Sequence, residues 1–166
     1  MTQLRLAALE GTLNRLDRLS ARRGRDPQLP AHLATGHAGE DAAFFHLRRL
    51  GYTVVARRWS SGDVPGDIDL IAWQGSLLCF MEVKARTARD STPAHSAVDE
   101  SKRRTLRRLA RRYLHQLDLN TSPETRFDVL SVYLLPGQPA QIEHFEAIFS
   151  WVPASTNLDA LQRLST

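Results

Sequence analysis

The sequence predicts an α/β layered domain, a mixed β-sheet flanked by helices, preceded by an N-terminal helical extension. Three observations predict it. Apolar residues recur at three- and four-residue steps in some stretches and in short dense runs in others, so helices and strands are both expected. Their order is helix, helix, strand, strand, strand, helix, strand, strand, and strands grouped around helices make layered sheets. The 166 residues are 42% hydrophobic and 24% charged, which suits one packed domain with a modest extension and excludes general disorder.

The first element is a helix over residues 1 to about 23. Leu6, Leu9, Leu13 and Leu16 form its apolar stripe, and Arg15, Arg18, Arg22 and Arg23 line its other faces. Gly24 and Asp26-Pro27-Gln28-Leu29-Pro30 break it into a linker. Residues 1–33 therefore read as a docking segment for the domain, for a second copy of the chain or for a protein partner. A domain over 34–150 and a tail over 151–166 follow. The second helix is expected from about Ala38 to Leu50, stopped by Gly51, with Ala43, Leu47 and Leu50 facing inward. Glu40 falls one turn before Ala43 on that stripe, a place that a first-turn acid favoured by the helix dipole would also take.

Tyr52 to Trp59 reads as a strand and Ser60 to Pro65 as a loop. From Gly66 to Arg86, two apolar runs flank Gln74-Gly75-Ser76, the pattern of a hairpin with a tight turn. A polar loop over Thr87–Ser96 leads to a helix over about Val98–Leu117, whose inward face is Leu106, Leu109, Ala110, Tyr113, Leu114 and Leu117. After a turn at Asn120–Glu124, the mostly apolar Arg126–Leu134 reads as a central strand. A turn at Pro136–Pro139 and a last strand over Gln141–Phe149, carrying Ile142, Phe145 and Ile148, complete the order.

The hairpin carries the chemistry. Strand side chains alternate between faces, so Asp67 and Asp69 share one face of its first strand. Glu82, Lys84 and Arg86 share one face of the second, and Val83 points the other way, toward a core. Carboxylates on otherwise apolar strands carry a desolvation cost. A hard divalent cation would offset it, because such ions take carboxylate oxygens. The bland alternative is a cross-strand salt bridge between these acids and Lys84, a contact worth about 0.2–1 kcal/mol that sequences acquire easily.

Charge points to an anionic partner. The net charge is +4, and seven of the eleven positions from Lys102 to Arg112 are basic: Lys102, Arg103, Arg104, Arg107, Arg108, Arg111 and Arg112. No acid separates them, so they repel one another at helical spacing, and a polyanion relieves that repulsion. A solvated helix face is the competing explanation. Cys79 is the lone cysteine, which excludes an intramolecular disulfide and reads as a small buried side chain. No apolar run has the length of a membrane span, and Arg5, Glu10, Arg15 and Asp17 interrupt the leading leucines as no secretory signal would allow. A cytoplasmic protein without a membrane partner is expected. The six histidines show no metal-ligand spacing and receive no role.

Asp69, with Glu82-Val83-Lys84 on the next strand, resembles the PD-(D/E)xK signature of restriction-endonuclease-like nucleases. The likeness extends to Gly36-His37-Ala38-Gly39-Glu40-Asp41-Ala42-Ala43, Leu47, Gly51-Tyr52, Gly66 to Ala72, Phe80 to Arg86, Ala97-Val98-Asp99, Lys102 and Arg126-Phe127-Asp128-Val129. Taken together, these blocks resemble the bacterial YraN-type family, itself similar in pattern to archaeal Holliday-junction resolvases. The resemblance covers about Gly36 to Phe149 and leaves the N-terminal extension outside. The chain departs from the pattern at Asp67, where Glu is usual, and at Arg58 and Ser60, where Asn and Arg are usual.

The resemblance implies a restriction-endonuclease-like core and a DNA-cutting, metal-dependent endonuclease, acting on branched or otherwise structured DNA. It implies Mg²⁺ or Mn²⁺ held by Asp69, Glu82 and the Val83 carbonyl, with Lys84 polarising the attacking water and Glu40 joining from the second helix. Phosphate contacts then fall to Arg86, Lys102, Arg104, Arg107, Arg108 and Arg111. A nucleic-acid-binding scaffold that keeps this fold without turnover is the alternative, because fold does not fix function.

Overall fold

The structure, a computed structural model, describes residues 31–89, 98–117 and 122–151. The expected N-terminal helix, its linker and the tail beyond Trp151 lie outside the described residues, as does most of the loop after Arg89. Within them the order is α1 (Ala31–Arg49), β1 (Thr53–Ser61), β2 (Val64–Gln74), β3 (Leu77–Arg86), α2 (Glu100–Gln116), β4 (Thr125–Tyr133) and β5 (Gln141–Phe149). The sheet has the strand order β1-β2-β3-β4-β5. Its β3–β4 pair is parallel and the other pairs are antiparallel. This is the mixed sheet flanked by helices that the resemblance implies, a restriction-endonuclease-like core. Parallel neighbours need a crossover, and α2 supplies it between β3 and β4.

Alternation along β3 separates two cores. Leu78 and Phe80 pack with Leu106, Leu109 and Ala110 of α2 and with Phe127 and Val129 of β4. Cys79 and Met81 point the other way, toward Ala43 and Leu47 of α1 and Leu130 and Val132 of β4. The sheet is thus covered on both faces, which is why β3 and β4 read as nearly continuous apolar runs. Cys79 is free and buried, and burial followed by the nearby Asp128 carboxylate pushes its thiol up to about 11.

Several boundaries differ from expectation for local reasons. Helix α1 starts at Ala31, so the expected domain boundary at 33/34 falls inside it. It ends as expected at Gly51, whose φ of +89° suits glycine. The Gly51 amide donates to Arg48 O at 3.3 Å and the Tyr52 amide to Leu47 O at 3.0 Å, a Schellman closure. Leu50 lies past the last helical turn and is exposed, not inward. The expected Ser60–Pro65 loop is mostly strand: β1 runs to Ser61, which pairs with Val64 across a tight turn. The Gly75–Ser76 turn joins β2 to β3, with Gly75 at φ +60°.

Helix α2 opens with Asp99 as its N-cap, whose Oδ1 accepts the Lys102 amide at 2.8 Å. This fixes the helix start, and hence where the Lys102 side chain leaves it.

Candidate active site

The β2–β3 ladder runs from Gln74–Leu77 to Leu70–Met81 and stops there. Beyond it the Val83 amide donates to Asp69 Oδ2 at 2.6 Å. A side-chain carboxylate replaces the backbone acceptor where the hairpin opens. Glu82, on the α2 face of β3, is buried with 4% of its surface exposed. Its Oε1 accepts Lys84 Nζ at 2.9 Å. Its Oε2 lies 3.0 Å from Lys102 Nζ, an ion pair less well aligned than the Lys84 contact. Lys102 also donates to the Asp67 carbonyl at 3.5 Å.

Electrostatics follow from this crowding. Burial, then the Glu82 carboxylate, pushes the Asp69 carboxyl up to about 7, against the opposing pull of the Val83 amide and Lys102. Burial lowers the Lys102 ammonium, but Glu82, Asp69 and Asp67 together more than offset it and hold it above its ordinary value. The two acids are therefore one interacting unit, balanced by two ammonium groups.

The expected residues fall into two groups. Asp69, Glu82, Lys84 and Lys102 come together, and Arg86 ends the same strand. Lys102, expected as a phosphate contact, sits inside the carboxylate site instead. Glu40 stands apart: on α1, over the opposite face of the sheet, it pairs with Arg58 Nε at 2.5 Å. Arg58 has a φ of +47°, rare for a residue other than glycine, and the alternation of β1 breaks beside it. Arg57 and Arg58 consequently both meet α1, at Asp41 and Glu40. Among the described residues, no group of three or more His, Cys, Asp or Glu is placed to hold a metal ion.

The donor set still suits a hard cation in a sparse way. Mg²⁺ commonly binds through one or two carboxylates and keeps several waters, so Asp69 and Glu82 suffice as the anionic ligands. The buried Glu82 Oε2, met only by a poorly aligned ammonium, and the raised Asp69 carboxyl are what such an ion would relieve.

The basic helix divides similarly. Arg104, Arg108, Arg111 and Arg112 are exposed. Arg107 corrects the sequence expectation of a phosphate contact, because it is buried. Its guanidinium donates to Ser150 O and Glu100 Oε1, each at 2.8 Å, and lies over the Phe149 ring. Arg112 pairs with Asp63.

A second polar cluster has no counterpart among the expected site residues. Asp128, 1% exposed on β4, accepts from Arg126 Nε at 2.8 Å and from the Ala147 amide at 3.0 Å, and lies 3.0 Å from His144 Nε2. Arg126 also reaches Glu146 and the Tyr52 hydroxyl, both at 3.1 Å. Burial would raise the Asp128 carboxyl, but His144, Arg126 and the Ala147 amide outweigh it and hold it below the usual carboxylate range. Its one sequence signal is an acid within the apolar run Phe127-Asp128-Val129-Leu130.

With this geometry in place, comparison with known proteins is direct. Residues 39–132 match the family described as "Uncharacterised protein family UPF0102". The chain belongs to the UPF0102 family. It is 50% identical over 109 residues to a UPF0102 protein of Koribacter versatilis, covering 66% of this chain and 75% of that one. It is 40% identical over 119 residues to a UPF0102 protein of Rhodococcus opacus, covering 71% of this chain and 98% of that one. A UPF0102 protein of Herpetosiphon aurantiacus is 37% identical over 118 residues, with 69% and 93% covered. The UPF0102 match spans α1 from Gly39, all of β1–β3, α2 and nearly all of β4, so it includes every residue of the carboxylate site. No helix among the described residues is long and apolar enough to cross a membrane.

Proposed function

We propose that this UPF0102 protein is a metal-dependent endonuclease-like protein that binds nucleic acid and hydrolyses phosphodiester bonds in branched or structured DNA. One observation carries the reading: a carboxylate pair, half-buried Asp69 and buried Glu82, beside the Lys84 ammonium where β2 and β3 part. Asp69, Glu82 and the Val83 carbonyl would hold Mg²⁺ or Mn²⁺. Such an ion, when bound, neutralises phosphate charge and acidifies coordinated water. Lys84 holds Glu82 by its Oε1 and carries a positive charge to the attacked phosphate. Exposed Arg104, Arg108 and Arg111 on α2 supply phosphate contacts along the backbone of the nucleic acid, and Arg86 extends them from β3.

A second reading is a nucleic-acid-binding scaffold without turnover. The separation of Glu40, tied to Arg58, from the two central acids favours it. A cleavage panel separates the two. Linear, single-stranded, flap and four-way DNA are incubated with Mg²⁺ or Mn²⁺, beside Lys84→Met protein. The nuclease reading expects cleavage that falls on the order of a hundredfold or more in Lys84→Met, with DNA affinity retained. Binding without cleavage of any substrate supports the scaffold, and cleavage unchanged in Lys84→Met overturns the assigned site.

A further inference from the structure

The Glu82 carboxylate is already covered by two ammonium groups, yet the two contacts are unequal. Lys84, two residues away on the same strand, makes an aligned hydrogen bond to Oε1 at 2.9 Å. Lys102 reaches Oε2 from another element at 3.0 Å, with a less well aligned contact, and also touches the Asp67 carbonyl at 3.5 Å. Lys102 also stands in the first turn of α2, where the helix dipole disfavours a cation. Its side chain is 28% exposed, against 34% for Lys84 and 5% for Glu82, so both ammonium groups border solvent while the carboxylate does not. The helix itself does not depend on this contact, because the Asp99 cap holds the Lys102 backbone amide.

We propose that Lys102 is a displaceable internal cation, occupying Glu82 Oε2 in the metal-free protein and yielding that oxygen when a divalent ion binds. The inference rests on the assignment of Asp69 and Glu82 as metal ligands and adds what controls their occupancy. Without an ion, Lys102 keeps a buried carboxylate from standing unpaired. With one, it opposes binding, since like charges within a few ångströms repel strongly in a partly desolvated site. Lys102 thus weakens the site for metal and sets the ion concentration at which it fills. Lys102 acts here as a positioning residue, distinct from Lys84.

The test is Mn²⁺ affinity, read by calorimetry or by the loss of the free-ion electron paramagnetic resonance signal. Full-length wild type, Lys102→Met and Lys102→Gln are titrated at pH 8, with Asp69→Asn as the control. Both Lys102 variants should bind Mn²⁺ on the order of tenfold more tightly than wild type. In EDTA they should melt lower than wild type, and saturating Mn²⁺ should restore them by a larger increment. A residue that merely supports the fold would weaken metal binding instead. Affinity equal to or weaker than wild type in both variants overturns the inference alone. Mn²⁺ binding that is absent, or unchanged by Asp69→Asn, overturns the metal site on which it rests.

Discussion

Gly39 of α1 lies directly against Ala85 of β3: a Cβ placed on Gly39 would sit 2.5 Å from the Ala85 Cβ. The glycine is what lets helix and central strand touch, and its neighbour Glu40 is thereby set at the edge of β1, beside Arg58.

Gly39→Ala should therefore force α1 off the sheet. The expected loss is about 1–3 kcal/mol, as for other overpacked sites, and Gly39→Val should lose more. Gly36, in the same helix, has nothing within 4 Å of the corresponding position. Gly36→Ala should gain about 0.5–1 kcal/mol through helix propensity. Urea unfolding of the variants checks the pair, and equal stability of Gly39→Ala and wild type would contradict the close approach.

Asp128 should dominate the acid limb of stability. Its carboxyl is held below the usual range in the folded chain, so its stabilisation is complete above the unfolded value near 4 and is lost as pH falls through the folded value. Asp128→Asn should flatten that limb. Asp128→Ala should cost about 2–4 kcal/mol at neutral pH, because Arg126 loses its buried partner, keeping Glu146 and the Tyr52 hydroxyl, and His144 and the Ala147 amide lose their acceptor. Denaturant melts from acid to neutral pH read both effects, and parallel pH curves for wild type and Asp128→Asn would refute the assignment.

The arginines of α2 should separate into structural and interfacial ones. Arg107→Gln removes two 2.8 Å hydrogen bonds and the stacking on Phe149, and should lower the melting temperature clearly. Arg104→Gln with Arg108→Gln should leave melting nearly unchanged. It should reduce the logarithmic salt slope of duplex-DNA binding by about 0.9 for each phosphate that is no longer neutralised. Salt-dependent filter binding decides this, and a slope unaffected by the surface pair would return it to an ordinary solvated face.

Much of this is legible in the sequence because it is periodic. Alternation locates Val83 toward a core and Glu82 with Lys84 on the other face, and the hairpin turn at Gly75 follows from composition. The separate fates of the basic side chains are only partly legible: helical spacing puts Lys102 on the inward stripe, four before Leu106 and seven before Leu109, but not Arg107 in a buried pocket. Lys102, Arg107 and Arg108 look alike in sequence, yet α2 turns one into the carboxylate site, buries one and exposes one. The burial of Arg107 depends on where the helix axis lies over the sheet and on Phe149 and Ser150, which no local pattern encodes. Glu40 shows the same limit: its stripe is right for facing the sheet, but the left-handed Arg58 supplies a partner on β1 that alternation alone would point elsewhere. Asp128 and His144 are sixteen residues apart and meet only through the β4–β5 register.

The bond between the Val83 amide and Asp69 has a practical consequence. Most amides of a central strand answer only to the sheet's own ladder, and are silent about chemistry. This one is hydrogen-bonded to a carboxylate whose charge changes near neutral pH. Its proton resonance and its nitrogen-15 shift therefore form a built-in gauge, readable in a labelled sample, of the state of the Asp69 carboxyl. One cross-peak follows the site without a substrate, a dye or a turnover assay.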